Sequence, residues 1–175
     1  VEKAFNSRPL ASRFQSKQPV NYPIQPMRCA LLTVLVIASI STLRAEDKEI
    51  VLKPSMTNPM MYDNNAFSVK AGDKVKLTFD NTKFVAPLPH NVVTCKAGSK
   101  DKVIAASNAM LTDPNGMAKS YVPETPDVLA KMMFVQPGQT GVLEFTAPAE
   151  AGDYPFICTF VGHAILMNGI MKVEK

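Results

Sequence analysis

The chain holds only two histidines and three cysteines, and one of each stands in a single stretch, CTFVGHAILMNG, running from Cys158 to Gly169. Cys158, His163 and Met167 fall there at offsets 0, 5 and 9. Their donors are a sulfur that can bind as thiolate, an imidazole nitrogen and a thioether sulfur. Soft sulfur combined with imidazole suits copper. A trigonal set of two histidines and one cysteine, with a long axial methionine, is the donor set of electron-transfer copper sites. One imidazole is missing from the stretch, and the chain has a single other histidine to supply it, His90, in APLPHNV (Ala86 to Val92). A centre closed by four side chains leaves no open position for a substrate, unlike a catalytic metal site. A rigid compromise between the geometries that Cu(II) and Cu(I) prefer lowers the reorganisation that accompanies transfer of one electron.

Two loops far apart in sequence must then meet. Tyr154 to Ile157 read as a strand that delivers Cys158 at its end, and Gly162 with Asn168-Gly169 brackets a tight loop. His90 follows a proline-rich turn at the mouth of another strand, Asn91 to Lys96. Elsewhere the pattern has period two. Ile50, Leu52 and Pro54 alternate with Val51 and Lys53, and Phe67 and Val69 lead into the turn Ala71-Gly72-Asp73. Val75, Leu77 and Phe79 mark a half-buried antiparallel strand. Val128 to Val135, Leu143 with Phe145, and Gly169 to Val173 complete the set. These signals predict an all-β chain, an eight-stranded Greek-key β-sandwich whose strand-end loops cluster at one pole. One stretch departs from period two. Val103, Ala106 and Met110 stand at helical spacing behind Ser99, which predicts a short capped helix on an excursion covering 99–127.

CTFVGHAILM with a glycine shortly after, together with the upstream PHNVV, resembles azurin and its relatives such as auracyanin, the small blue copper proteins called cupredoxins. In azurins the loop reads Cys-Thr-Phe-Pro-Gly-His with Met four residues on, and the upstream ligand lies in Gly-His-Asn-Trp-Val. The likeness extends through Asn65 to Lys175 and includes AFSVKAGDKVKLTF. The resemblance implies one type 1 copper ion with His90, Cys158 and His163 as equatorial ligands and Met167 as the axial one. It also implies that the Pro89 carbonyl lies near the ion on the far side. Asn91 is implied to tie the two ligand loops together and to donate a hydrogen bond toward the Cys158 sulfur, with Thr159 and Phe160 beside it. Three departures accompany it: Pro89 stands where azurins have glycine, Val161 where they have proline, and the second cysteine of their disulfide is missing. Cys95 is therefore expected as a free thiol acting as a small buried hydrophobe; the alternative is a Cys95–Cys158 disulfide in an oxidising compartment.

Around the ligands, Pro87, Leu88, Phe160, Ala164 and Ile165 are expected to form an exposed apolar collar about an outward-reaching His163, where redox proteins such as a cytochrome dock. Met60-Met61 is expected to lie in a loop packed against the same pole. Lys96, Lys100 and Lys102, interrupted by Asp101, read as a solvated face.

The net charge is +4, but residues 1–45 carry six basic residues and one acid, leaving −1 for the remaining 130. That excludes a basic nucleic-acid surface on the folded part. The basic segment coincides with a targeting pattern. Met27-Arg28 precedes an apolar run from Cys29 to Ile40, and small residues lead to Ala45 before Glu46-Asp47. That order predicts a signal peptide over 27–45, cleaved near Ala45, and export to a periplasmic or other external compartment without stable membrane insertion of the mature chain. Residues 1–26 are expected to be a misassigned start or a disordered tail, and 46–175 the copper-binding domain. The function expected is electron carriage rather than enzymatic activity, the alternative being a periplasmic copper carrier or store with the same ligands. A copper enzyme of the nitrite-reductase type needs further histidines that the chain does not have.

Overall fold

Period-two alternation becomes two packed sheets in a computed structural model that describes Asn21, residues 46–83 and residues 85–175. The tail or misassigned start over 1–26 and the signal peptide over 27–45 lie, Asn21 apart, outside the described residues. Among the described residues no helix is long and apolar enough to cross a membrane.

The strands are β1 (Asp47–Leu52), β2 (Ala66–Lys70), β3 (Lys74–Asp80), β4 (Val93–Cys95), β5 (Val128–Lys131), β6 (Thr140–Thr146), β7 (Gly152–Ile157) and β8 (Asn168–Glu174). One sheet has the order β1-β3-β6 and the other β2-β8-β7-β4-β5. This is the cupredoxin-like all-β sandwich expected, with one helix, α1 (Lys100–Ala109), between β4 and β5. In β3, Val75, Leu77 and Phe79 are buried and Lys74 and Lys76 point out. β3 is antiparallel only to β6; on its other side it runs parallel to β1. β2 likewise runs parallel to β8. Leu52, Val75, Leu77, Phe79, Phe156, Met171 and Val173 belong to one core between the sheets.

A second, smaller core explains why β4 and the end of β7 are apolar on both faces. Val93, Cys95 and Ile157 pack on the outer side of the five-stranded sheet against Val103 of α1 and Val122 of the excursion. A strand covered on both faces loses its alternation, so NVVTC and YPFIC show no clean period of two. Cys95 is buried there, and both it and Cys158 are free thiols, which removes the disulfide alternative.

The helix differs in detail from its expected form. Ser99 occupies the cap position, but its hydroxyl donates backward to the Lys96 carbonyl at 2.8 Å and makes no side-chain cap. The buried face is Val103 with Ser107, whose hydroxyl donates to the Tyr121 carbonyl at 2.7 Å. Met110 falls past the helix, in a 3-10 turn spanning Met110–Thr112. The expected strand at 128–135 stops at Lys131, and Val135 rejoins the sheet only through an isolated bridge to His90. Pro54 similarly lies beyond β1, bridged to Tyr62.

Candidate metal centre

His90 reaches the pole because its backbone is paired there. Its N–H donates to the Val135 carbonyl at 3.2 Å, and the Val135 N–H donates back to His90 at 2.8 Å. Cys158 follows directly from β7, and the loop after it closes upon itself. The Cys158 N–H donates to the Met167 carbonyl at 2.9 Å, and the Met167 N–H donates to the His163 carbonyl at 2.6 Å. His163–Ile165 form one 3-10 turn, entered through Gly162 at a left-handed φ of 80° that suits glycine. The Asn168 amide donates to the carbonyls of Ala164 and Ile165 at 3.0 and 3.1 Å, which ends the turn. Gly169, the second residue of β8, lies so close to Phe156 and the Asn65 carbonyl that a Cβ would collide with both.

These closures bring three donors together. The ligand atoms of His90, Cys158 and His163 all lie within 4.8 Å of one another. The Cys158 sulfur is 3.9 Å from His163 Nδ1, and the two imidazole centroids are 5.0 Å apart. His90, Cys158 and Met167 are fully buried and His163 is 3% exposed. His163 therefore lies just beneath the surface and does not reach outward as expected.

Both ring nitrogens of His90 are buried without a hydrogen-bond partner. Buried polar atoms in folded proteins are nearly always paired, so an orphaned imidazole nitrogen within 4.8 Å of a thiol and a second imidazole marks a place for a cation. Protonation does not fill that role. Burial, then the nearby His163, lowers the His90 pKa from 6.5 to about 4, and burial lowers that of His163. Both rings are thus neutral at pH 7 with lone pairs to offer. Burial pushes the Cys158 thiol up to about 11, opposed by the backbone amides of Asn91 and Phe160, which are turned toward the sulfur. The residues present fit one type 1 copper ion: two neutral imidazoles, and a thiol that metal coordination deprotonates.

The tie expected of Asn91 is present, with more partners than expected. Its Nδ2 donates to Thr159 Oγ1 at 2.7 Å and its Oδ1 accepts the Thr159 N–H at 2.8 Å. The amide that faces the Cys158 sulfur is the backbone N–H of Asn91, not its side chain. Thr159 Oγ1 passes its own proton to the Ser120 carbonyl at 2.7 Å, and Tyr62 donates to the Asn91 carbonyl at 2.7 Å. Ser120 is left-handed at φ 55°, and its Oγ accepts the Phe134 N–H at 2.9 Å. Ser120, Tyr62 and Phe134 carry no sequence signal for this role. Met60 and Met61 are half-buried in the loop before Tyr62, which links that loop to Asn91.

Of the expected collar, Pro87 is exposed, Leu88 half-buried and Ile165 78% exposed. Phe160 is half-buried between Phe134 and the His163 ring, with centroids 5.5 and 4.7 Å away, and Ala164 packs toward the core under α1. Exposed Val161 and Leu166, absent from the expected set, flank the same loop. Pro89 is half-buried beside His90.

Comparison with known proteins agrees with this geometry. The profile of the family described as copper binding proteins, plastocyanin/azurin family, matches residues 49–174. Auracyanin-A of Chloroflexus aurantiacus is 31% identical over 116 residues, covering 66% of this chain and 68% of that protein. Outer membrane protein H.8 of Neisseria gonorrhoeae is 35% identical over 98 residues, 54% of this chain and 50% of its own length. The solved structure of auracyanin A, a "blue" copper protein, superposes with a TM-score of 0.64 at 30% identity, covering 73% of this chain and 99% of that one. An azurin (Az-iso2) from Methylomonas sp. strain J superposes with a TM-score of 0.60 at 21% identity over 73% and 98% of the two chains, a likeness of fold alone.

Proposed function

The chain belongs to the plastocyanin/azurin family of copper-binding proteins, and on that premise we propose that it carries single electrons between redox proteins, outside the cytoplasm. His90, Cys158 and His163 would hold the ion, with Met167 and the Pro89 carbonyl as further, weaker donors. The observation that carries this reading is the set of three buried donors within 4.8 Å of one another, drawn from two loops that are hydrogen-bonded to each other. When bound, copper supplies a one-electron Cu(II)/Cu(I) couple. The protein's part is to keep the donors still. Asn91 and Thr159 tie the two loops together, and the Cys158–Met167 turn is closed by its own hydrogen bonds, so the donors would keep one arrangement in both oxidation states of a bound ion. The amides of Asn91 and Phe160 face the sulfur and favour its thiolate.

Phe160 packs on the His163 ring, and with exposed Ile165, Val161 and Leu166 of the same loop, and with Pro87 and Leu88 of the His90 loop, it makes the apolar face on which a redox partner docks; Ala164 packs inward and does not contribute. A partner docking there comes within a side chain's thickness of a ligand ring. Mature protein released by cleavage near Ala45 meets such partners in a periplasmic or equivalent compartment.

The test is to add Cu(II) to the metal-free protein and record its visible and electron-spin-resonance spectra. An intense visible band is expected, and it should vanish in Cys158→Ser; a band that survives removes Cys158 from the centre. Rapid electron self-exchange, slowed by Ile165→Lys, is the second expectation. A blue protein with slow self-exchange is a copper carrier or store instead.

A further inference from the structure

We propose that Asn81 is a positioning residue for the metal centre: its side-chain amide holds the Leu88–His90 segment and so sets how His90 and the Pro89 carbonyl approach the ion. The inference rests on the copper reading above. Asn81 is the first residue after β3 and is fully buried. Its Nδ2 donates to the Leu88 carbonyl at 3.1 Å and to the Val135 carbonyl at 3.0 Å. Val135 is also the backbone partner of His90, so one amide group grips the residue before Pro89-His90 and the carbonyl that receives the His90 N–H. Asn81 is itself held. Its N–H donates to the Gln139 carbonyl at 2.9 Å, and its carbonyl accepts the Gly138 N–H at 2.8 Å. The line of support therefore runs from the turn before β6, through Asn81, to the histidine.

The segment needs an outside donor because of its composition. Pro87 and Pro89 have no N–H to give, and the Leu88 N–H is spent locally on the Ala86 carbonyl at 2.8 Å. His90 is paired through an isolated bridge and not a ladder. What remains to orient the segment are its carbonyls: that of His90 accepts the Val135 N–H, and Asn81 supplies the hydrogen for that of Leu88. Among the described residues Asn81 Oδ1 has no partner, so the side chain is present for its two donors and not for its acceptor. A short side chain with two N–H donors on one nitrogen is asparagine. Leucine has a similar shape and no donor, and aspartic acid offers one hydrogen at most, when protonated.

The test compares wild type, Asn81→Leu and Asn81→Asp. In the metal-free proteins the His90 amide should exchange with solvent about tenfold faster in the leucine variant, the effect of losing one ordinary hydrogen bond on a local opening equilibrium. In the copper-loaded proteins the visible band, the copper hyperfine splitting and the reduction potential should all shift, with Asp between Leu and wild type. A Leu or Asp variant that melts earlier yet keeps the wild-type spectrum and potential has lost only stability, and the positioning role is then wrong. Should Asn81→Leu not fold, Asn81→Asp decides on the same readouts. A wild-type protein without the intense band refutes the copper reading itself, whereas a wild-type band unchanged in both variants refutes only the role of Asn81.

Discussion

Asn91→Ala should destabilise the metal-free protein by about 2 to 4 kcal/mol. Two side-chain hydrogen bonds are lost, one from Nδ2 to Thr159 Oγ1 at 2.7 Å and one from the Thr159 N–H to Oδ1 at 2.8 Å; each is worth about 1 kcal/mol net. The third contact, to the Ser120 carbonyl at 3.4 Å, is too long to add much. The Thr159 N–H, on a residue only 4% exposed, is then left without its partner. If a water enters the vacated space the total stays near 2 kcal/mol, and if none does the desolvated donor adds roughly 1 to 2 more. For a domain of this size that lowers the melting temperature by roughly 10 °C. The assay is urea unfolding of the apo protein, where the midpoint should fall and the slope stay constant. A double-mutant cycle with Thr159→Val separates the tie from the rest of Asn91 and should give a coupling of about 1 to 2 kcal/mol. A loss below about 0.5 kcal/mol, or a coupling of zero, refutes the claim that this pair locks the two ligand loops.

Three other outcomes follow from the same site. Because burial holds the Cys158 thiol up at about 11 while both histidines are neutral, uptake of one Cu(II) or Zn(II) between about pH 7 and pH 10 should release one proton; a pH-indicator titration should record one for wild type and none for Cys158→Ser. The apo protein should lose stability on acidification: the unfolded His90 takes up its proton near 6.5 and the folded one only near 4, so the unfolded state binds more protons through that window. Urea midpoints measured from pH 7 down to pH 4 should fall, and less steeply in His90→Gln; equal slopes overturn the assignment. Gly169→Ala should cost about 1 to 3 kcal/mol, because its Cβ would strike the Asn65 carbonyl, which is held by the Ile170 N–H at 2.8 Å and cannot retreat; an unchanged unfolding midpoint would show that β2 yields there.

What the amino-acid order revealed, and what it hid, divides along a physical line. Cys158 and His163 were legible because metal chemistry resides in side-chain identity and their spacing lies within one turn of chain. Val75, Leu77 and Phe79 were legible because one-sided burial imposes a period of two. The end of β7 and all of β4 could be recognised as strand but not placed, since α1 covers their outer face and erases the period. The hidden parts act through backbone atoms or across long separations. Ser120 serves through a carbonyl that every residue type possesses, and it meets Thr159 at a separation of 39 residues. Asn81 reaches Val135 across 54, and Asn91 reaches Thr159 across 68. Such partners are chosen by sheet register, and register is a property of the assembled sandwich. Thus the atoms offered to the ion can be read one residue at a time, while the stiffness that holds them in place exists only once β3, β4 and β7 have been assembled. Substitutions that leave His90, Cys158 and His163 in place can therefore disrupt the site by letting two loops drift apart.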